Sequence, residues 1–488
     1  ETDNLTIGGA QGSDGQVLTS TGSGVGWEDA SGGGSSVTFK EAGTNFANSI
    51  MVGDDSTGTL DAATGNTGLG IDVFEALTSG DNNVAVGFAS MAALTSGYSN
   101  AAVGANALDS LTTGHSCTGV GHNSLAGVTT ANHNVGVGLN TGVALTTGNG
   151  NTAIGSNTMN SGTTALNNTV VGTHSATAMT DGIGNTILGT VSSIALTTGD
   201  YNVNSGYASG YAITTGDANI CMGASAGLNL TTGSNNIAIG VNALNTQTTV
   251  SGEVAIGHQA LKVASNAGSN TAVGYQAGLS LTSAIGVVLM GYQAGKGITT
   301  GDTNVCVGGF SMDGGAGKTA YGCTHIGHAG QRTGTSGNFN DSMGIDAFKN
   351  PTTGNSNVCL GSGSGNVITT GSSNSLVGRT AGVAITTGSL NSCLGIVAGS
   401  AITTGAKNVC LGYDAGTSGS PNHITTGDNA IVLGNNSSAT AHIKIDWTVT
   451  SDKRDKTDIE PLTMGLDFVN KLEPVTYRWD MRSDYSKD

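Results

Sequence analysis

Hydrophobic and polar positions recur every 17 residues between about Gly53 and Gly434, and a glycine marks the phase of the pattern. The series runs Gly53, Gly70, Gly87, Gly104 and so on to Gly308 without a slip; it shifts by two residues to Gly327, continues to Gly412, and closes at Gly434 after five extra residues. The clearest copies read NNVAVGFASMAALTSG (Asn82 to Gly97) and NNIAIGVNALNTQTT (Asn235 to Thr249). Twenty-three copies at one short spacing predict a stacked array in which each copy contacts only its neighbours.

Positions are counted from the glycine at zero. Position −1 is large and apolar (Val86, Val103, Ile154, Leu188, Ile239), −3 is usually β-branched (Val84, Thr152, Ile237), and −2 is mostly small (Ala85, Ala102, Ala238, Cys306). Alternation with β-branched enrichment predicts a short strand. The expectation is that the −1 residues fill the interior of a coil and the −2 residues allow close approach by another surface. The glycine (Gly87, Gly104, Gly155, Gly240, Gly257 and Gly361 among others) lets the chain turn or pass close to a neighbour. Position +3 is small, +7 is again apolar (Leu94, Leu111, Leu196), and Thr-Thr-Gly at +8 to +10 predicts a turn back to the next strand. Seventeen copies carry Asn at −4, which in register would form a ladder of side-chain amides. One copy is then one coil of a β-solenoid, and with strands about 4.8 Å apart the stack is a rod roughly 110 Å long.

The motifs Asn-Asn-Val-Ala-Val-Gly (82 to 87) and Asn-Asn-Ile-Ala-Ile-Gly (235 to 240) resemble the Asn-Ser-Val-Ala-Ile-Gly repeat of trimeric autotransporter adhesin heads. The resemblance spans about four-fifths of the chain. It implies an all-β, left-handed β-roll with three copies packed side by side, the Thr-Thr-Gly side forming a longer loop than that family has.

Composition agrees with a regular stack that needs no thick core: the chain has 81 Gly, 4 Pro, 10% charged and 4% aromatic residues. No run of 18 apolar residues is present, so no membrane insertion is expected. A net charge of −17 with no basic concentration argues against nucleic acid as a partner. The opening at Glu1 without a signal peptide reads as a fragment or processed product. Five of seven cysteines (Cys221, Cys306, Cys359, Cys393, Cys410) take the small −2 slot, and Cys117 and Cys323 replace the −4 Asn, so buried free thiols are expected rather than disulfides. No zinc spacing occurs; His325 and His328 flank one repeat glycine and read as local variation. No cofactor and no metal is expected.

Three segments divide the chain. Residues 1–40 are Gly/Ser-rich, with a hairpin signal joining Gln16 to Thr19 and Gly24 to Trp27 and a linker at Ser31 to Ser36; the hairpin resembles a small module of phage tail fibres. Residues 41–441 form the repeat shaft, interrupted at Met312 to His325 and at Thr417 to Gly427 by insertions read as ordinary length drift. From 442 glycine nearly disappears, and helical spacing at Leu462, Leu466, Val469 and Leu472, followed by a strand signal from Val475 to Trp479, starts a new domain.

That last segment resembles the start of the endosialidase-type intramolecular chaperone. Ser451, Asp452, Arg454 and Lys456 match its Ser-Asp-x-Arg-x-Lys opening, followed by Ile459 to Leu462 and Leu472 to Tyr477. The resemblance implies a domain that trimerises, guides assembly of the β-structure before it and then cuts itself away, in a single turnover at the Thr450-Ser451 bond. Ser451 would be the nucleophile and Lys456 the base, a hydroxyl activated by a lysine of lowered pKa. The family domain continues beyond the point where this chain stops, at Asp488.

The leading expectation is a homotrimeric viral tail fibre or spike shaft, located in the virion, whose partners are its own copies, other tail or baseplate proteins, and a host-surface glycan or protein receptor. The alternative is a bacterial trimeric surface adhesin, extracellular or on the cell surface. A glycan-cleaving spike would need paired carboxylates, whereas Asp81, Glu253, Asp302, Asp346 and Asp414 are scattered and read as solvated loop residues. An ice-binding surface is set aside because adjacent threonines on a strand face opposite sides.

Overall fold

The computed structural model describes residues 6–7, 10–11, 16–20, 25–29, 38–41, 43, 45–53, 56–264, 268–442 and 471–472, with side chains from 43 onward. The chain divides into two compact units, Glu1–Ser437 and Ser438–Asp488. The helix and strand expected between Leu462 and Trp479 fall almost wholly outside the described residues.

The first unit is a parallel β-solenoid. Twenty-one three-residue strands, from Val84–Val86 to Ile431–Leu433, follow the strands Ile50–Gly53 and Thr67–Gly70, each ending at or just before a repeat glycine. Strand pairing is in register with the sequence period: Val84, Ala85 and Val86 pair with Ala101, Ala102 and Val103, and so on to Val409 with Ile431. The first coil is covered by the strand Thr38–Glu41, which pairs antiparallel with Ile50–Gly53 and so blunts what would be an open edge. Upstream, the strands Gln16–Ser20 and Val25–Asp29 form the expected hairpin, with Leu18 opposite Trp27.

The repeat glycine is fixed twice over. At Gly87 φ is +131°, and a Cβ there would lie 2.6 Å from the carbonyl carbon and oxygen of Gly104 in the next coil; Gly240 has φ +127° and meets Gly257 in the same way. Any side chain would have to displace main chain as well as adopt a strained φ. Gly104, Gly155, Gly257 and Gly361 repeat the arrangement.

The inside-outside assignment of the strand is the reverse of the sequence expectation. Ala85, Ala102, Ala238 and the other −2 residues are fully buried, while −1 residues such as Val103, Leu188, Met222 and Leu411 are 41 to 45% exposed and −3 residues such as Val84 share their face. The reason is volume. The wall opposite the strand fills the interior with large residues at +4 and +7, such as Met91 and Leu94, Leu108 and Leu111, which leaves room at −2 for little more than a methyl group.

The two walls trade volume coil by coil. Where −2 is Ala, +4 is often large (Ala85 with Met91, Ala102 with Leu108, Ala238 with Leu244); where −2 is larger, +4 is often Gly (Leu376 with Gly382, Cys359 with Gly365, Cys221 with Gly227). A Cβ at Gly382 would lie 2.8 Å from the Leu376 methyls, and one at Gly365 would lie 2.7 Å from the Cys359 sulfur. The +4 residue sits in the left-handed region (Leu108 φ 52°, Leu244 φ 50°), so its glycines also relieve strain.

Polar groups inside the coil are paired by the −4 ladder. Asn83 donates its side-chain N–H groups to Asn66 Oδ1 (3.0 Å) and to the Gly97 carbonyl (2.9 Å), and its own Oδ1 accepts from the Asn100 backbone and side chain (3.0 and 3.1 Å). The pattern recurs at Asn236, Asn374 and Asn391. Cys117, in the same row, accepts no amide role but points its thiol at the Ala131 carbonyl (3.3 Å), and Cys323 does so at Gly337 (3.4 Å). At the turn the first Thr donates its hydroxyl to a carbonyl of the next coil, Thr95 of Thr-Ser-Gly to Thr112 and Thr112 of Thr-Thr-Gly to Thr129 (3.1 and 3.0 Å).

Candidate functional site

The outward −1 row makes a long apolar stripe of the solenoid, broken at Ser205, and the −3 row beside it mixes Val and Ile with Thr, Ser and Asp341. Parallel in-register pairing places Leu188, Met222, Met290, Met343, Leu394 and Leu411 on the −1 row of one sheet, all 41 to 51% exposed. Soluble monomers rarely leave contiguous apolar patches beyond a few hundred Å² uncovered, and a stripe about 10 Å wide along 21 coils about 4.8 Å apart covers on the order of 1,000 Å². Near the C-terminal end of the ladder the face deepens to an apolar groove lined by Val377, Leu394, Val409 and Leu411.

Across the glycine from this face, some coils carry aromatic rings at or beside +1. His258, Tyr275 and Tyr292 stack with centroids 5.2 Å apart and planes within 8°, and Phe310 and His328 extend the row edge-on at 5.1 and 5.4 Å. Arg332 lies 5.7 Å over Phe310 and bridges to Asp313 at 3.3 Å. Beside the rings, Gln293 donates to Gln276 and Gln276 to Gln259 (2.9 and 2.8 Å).

Two coils carry ionisable groups inside. Lys318, supplied by the first insertion, turns inward and donates to the carbonyls of Gln331, Arg332 and Gly334. Burial pulls its ammonium down to about 8, against the pull of Asp313. His325 is fully buried at −2; its Nε2–H donates to Gln331 Oε1 and its Nδ1 accepts from the Ser342 hydroxyl at 2.6 Å. Burial holds that imidazole neutral, down to about 4. The insertion therefore feeds the interior, where sequence reading placed only length drift. Glu253 occupies the −4 row between Asn236 and Asn270. Its Oε1 accepts from Asn270 at 3.1 Å, its Oε2 is buried without a partner, and burial pushes the carboxyl up to about 7.

Of the other four acids expected as solvated loop residues, two bridge coils and two make contacts within a coil. Asp81 Oδ1 accepts from the Thr64 N–H and hydroxyl (2.8 and 3.0 Å), and Asp302 accepts from Ile285 N–H (2.9 Å). Asp346 pairs with Lys349 and Asp414 with Thr417. Only Glu253 departs outright from that expectation, being buried. All seven cysteines are buried and free, and burial pushes Cys221 and Cys306 up to about 12, which makes them inert packing groups. Among the described residues no three His, Cys, Asp or Glu side chains gather to hold a metal, and no helix is long and apolar enough to cross a membrane. Thr450, Ser451 and Lys456 lie outside the described residues.

Residues 451–488 match the model of the family described as chaperone of endosialidase. No curated protein and no solved structure matches the chain.

Proposed function

We propose that this chain is the shaft of a homotrimeric fibre, whose three copies cover one another along the −3/−1 face and whose residues from Ser451 onward begin an autoproteolytic assembly chaperone. The observation that carries the reading is the order along the sequence: a solenoid with a long uncovered apolar face runs almost up to a segment matching the endosialidase chaperone family. A chaperone that gathers three chains at their ends would bring these faces into register before they can pair elsewhere. Ser451 is the nucleophile, Lys456 the base and Thr450-Ser451 the scissile bond of a single-turnover cleavage. The shaft serves as a viral tail fibre or spike in the virion, joined to other tail or baseplate proteins, and reaches a glycan or protein on the host surface.

A bacterial trimeric adhesin is the second reading, favoured by the Asn-Asn-Ile-Ala-Ile-Gly motif at 235 to 240. The deciding experiment is denaturing mass spectrometry of the full-length product and its Ser451→Ala variant. A wild-type chain ending at Thr450 beside an uncut variant supports the chaperone reading, whereas two uncut chains overturn the cleavage half of it.

A further inference from the structure

The geometry points to the ring ladder from His258 to His328 as a binding platform for an extended neutral glycan lying along the solenoid axis, one pyranose per coil. This inference rests on the host-attachment reading above and gives it a site.

The ladder is local, so the fold does not demand it. Elsewhere the +1 position holds Ala105, Ser156, Thr173 or Ala224, or a single ring without a ring at +1 in the next coil such as Phe88 or Tyr207, with the same repeat glycine before it. The two central rings are open to solvent, Tyr275 42% and Tyr292 49% exposed. At 5.2 Å centroid separation and 8° between planes they lie parallel in successive coils, with close to half of each residue left open to solvent. The negative faces of such rings attract the C–H dipoles of a sugar ring. A pyranose presents an apolar C–H face and a rim of hydroxyls, and the structure answers both. The Gln259, Gln276 and Gln293 amides run beside the rings at the same repeat, and their remaining N–H and carbonyl valences suit a polyhydroxylated rim. The coil spacing is comparable with the length of one sugar unit in an extended chain, so ring, amide and sugar stay in phase across successive coils. The chain's net charge of −17 disfavours a polyanionic glycan.

The test is calorimetric titration of the assembled full chain with cellohexaose and with the β-1,4-linked hexamer of N-acetylglucosamine, against the Tyr275→Ala/Tyr292→Ala variant. Sedimentation velocity on both proteins reports assembly. The expected result is binding of at least one hexamer by the wild type and a loss of about tenfold or more in the variant at unchanged assembly state. Absence of binding of both hexamers, or equal binding by the variant, overturns the proposal. So does loss of assembly in the variant, which would make the ladder a contact between copies. A cell-attachment assay separates this inference from its premise: attachment that survives in the variant removes the glycan platform and leaves the fibre reading standing.

Discussion

An Asn flanked by Asn in the −4 row closes hydrogen bonds in three coils at once, and its replacement exposes main-chain groups that have no other partner. Asn374 donates to Asn357 Oδ1 and to the Gly388 carbonyl (3.0 and 2.9 Å) and accepts from the Asn391 N–H at 3.0 Å. Asn374→Leu strands the Gly388 carbonyl and the Asn391 N–H in the interior, at about 1–3 kcal/mol each. Hydrogen exchange of the coils on either side should rise by the corresponding factor, with distant coils unchanged because a repeat array need not open as one unit. Glu253 is the exception in the row. Its folded pKa of about 7 lies above the ordinary carboxyl value, so the folded chain holds the proton more tightly than the unfolded one. The associated stability is fully present below about pH 4.3 and is lost as pH rises through about 7. Glu253→Gln should therefore flatten the decline between pH 5 and 8 by roughly 2–4 kcal/mol, read as local exchange protection at matched pH in the two proteins.

The coil as an element has one interior, shared by two walls, and the volume trade between −2 and +4 gives a direct test. Leu376→Ala leaves a cavity at about 2–5 kcal/mol. Gly382→Leu alone overpacks against the Leu376 methyls, 2.8 Å from where its Cβ would stand. The double change reproduces the Ala238 and Leu244 pairing and should recover most of the loss, a coupling measurable by a double-mutant cycle of protease resistance. The same two walls explain which part of the fold could be read from sequence. The period, the strand, the turn and the amide ladder were legible because they repeat with the glycine. The facing of the strand was not. A strand of large, small, large residues is apolar on both sides, and only the size of the +4 and +7 residues across the coil decides which side is inside. The inward packing of Lys318 and His325 was not legible for a related reason: they fill interior slots of the interval where the period first slips, and a pattern argument is weakest there. The Ser451 and Lys456 pair was legible only as a motif, since its chemistry depends on a lysine environment that spacing alone does not supply.

For the whole molecule the consequential feature is the uncovered −1 row. Replacing two of its members by charge, Met222→Asp with Ile239→Asp, leaves the interior untouched. If that row is the trimer contact proposed above, sedimentation and circular dichroism should report loss of the trimer with the β-signal retained. A variant that still sediments as a trimer would place the contact elsewhere. By contrast Ala238→Asp puts an unpaired charge inside the coil and should disrupt the signal itself.

Because each strand outside the two insertions pairs with the residues 17 places on, the chain is also a ruler with one graduation per copy. A deletion of 17 residues anywhere within the regular stretch rejoins each row to itself and shortens the stack by about 4.8 Å. A deletion of 16 would bring an inward methyl to an outward position and break every row it crosses. The reach of the shaft can thus change only in whole steps. Unequal recombination between copies would supply those steps in frame, so that reach can be inherited and selected while each row is kept.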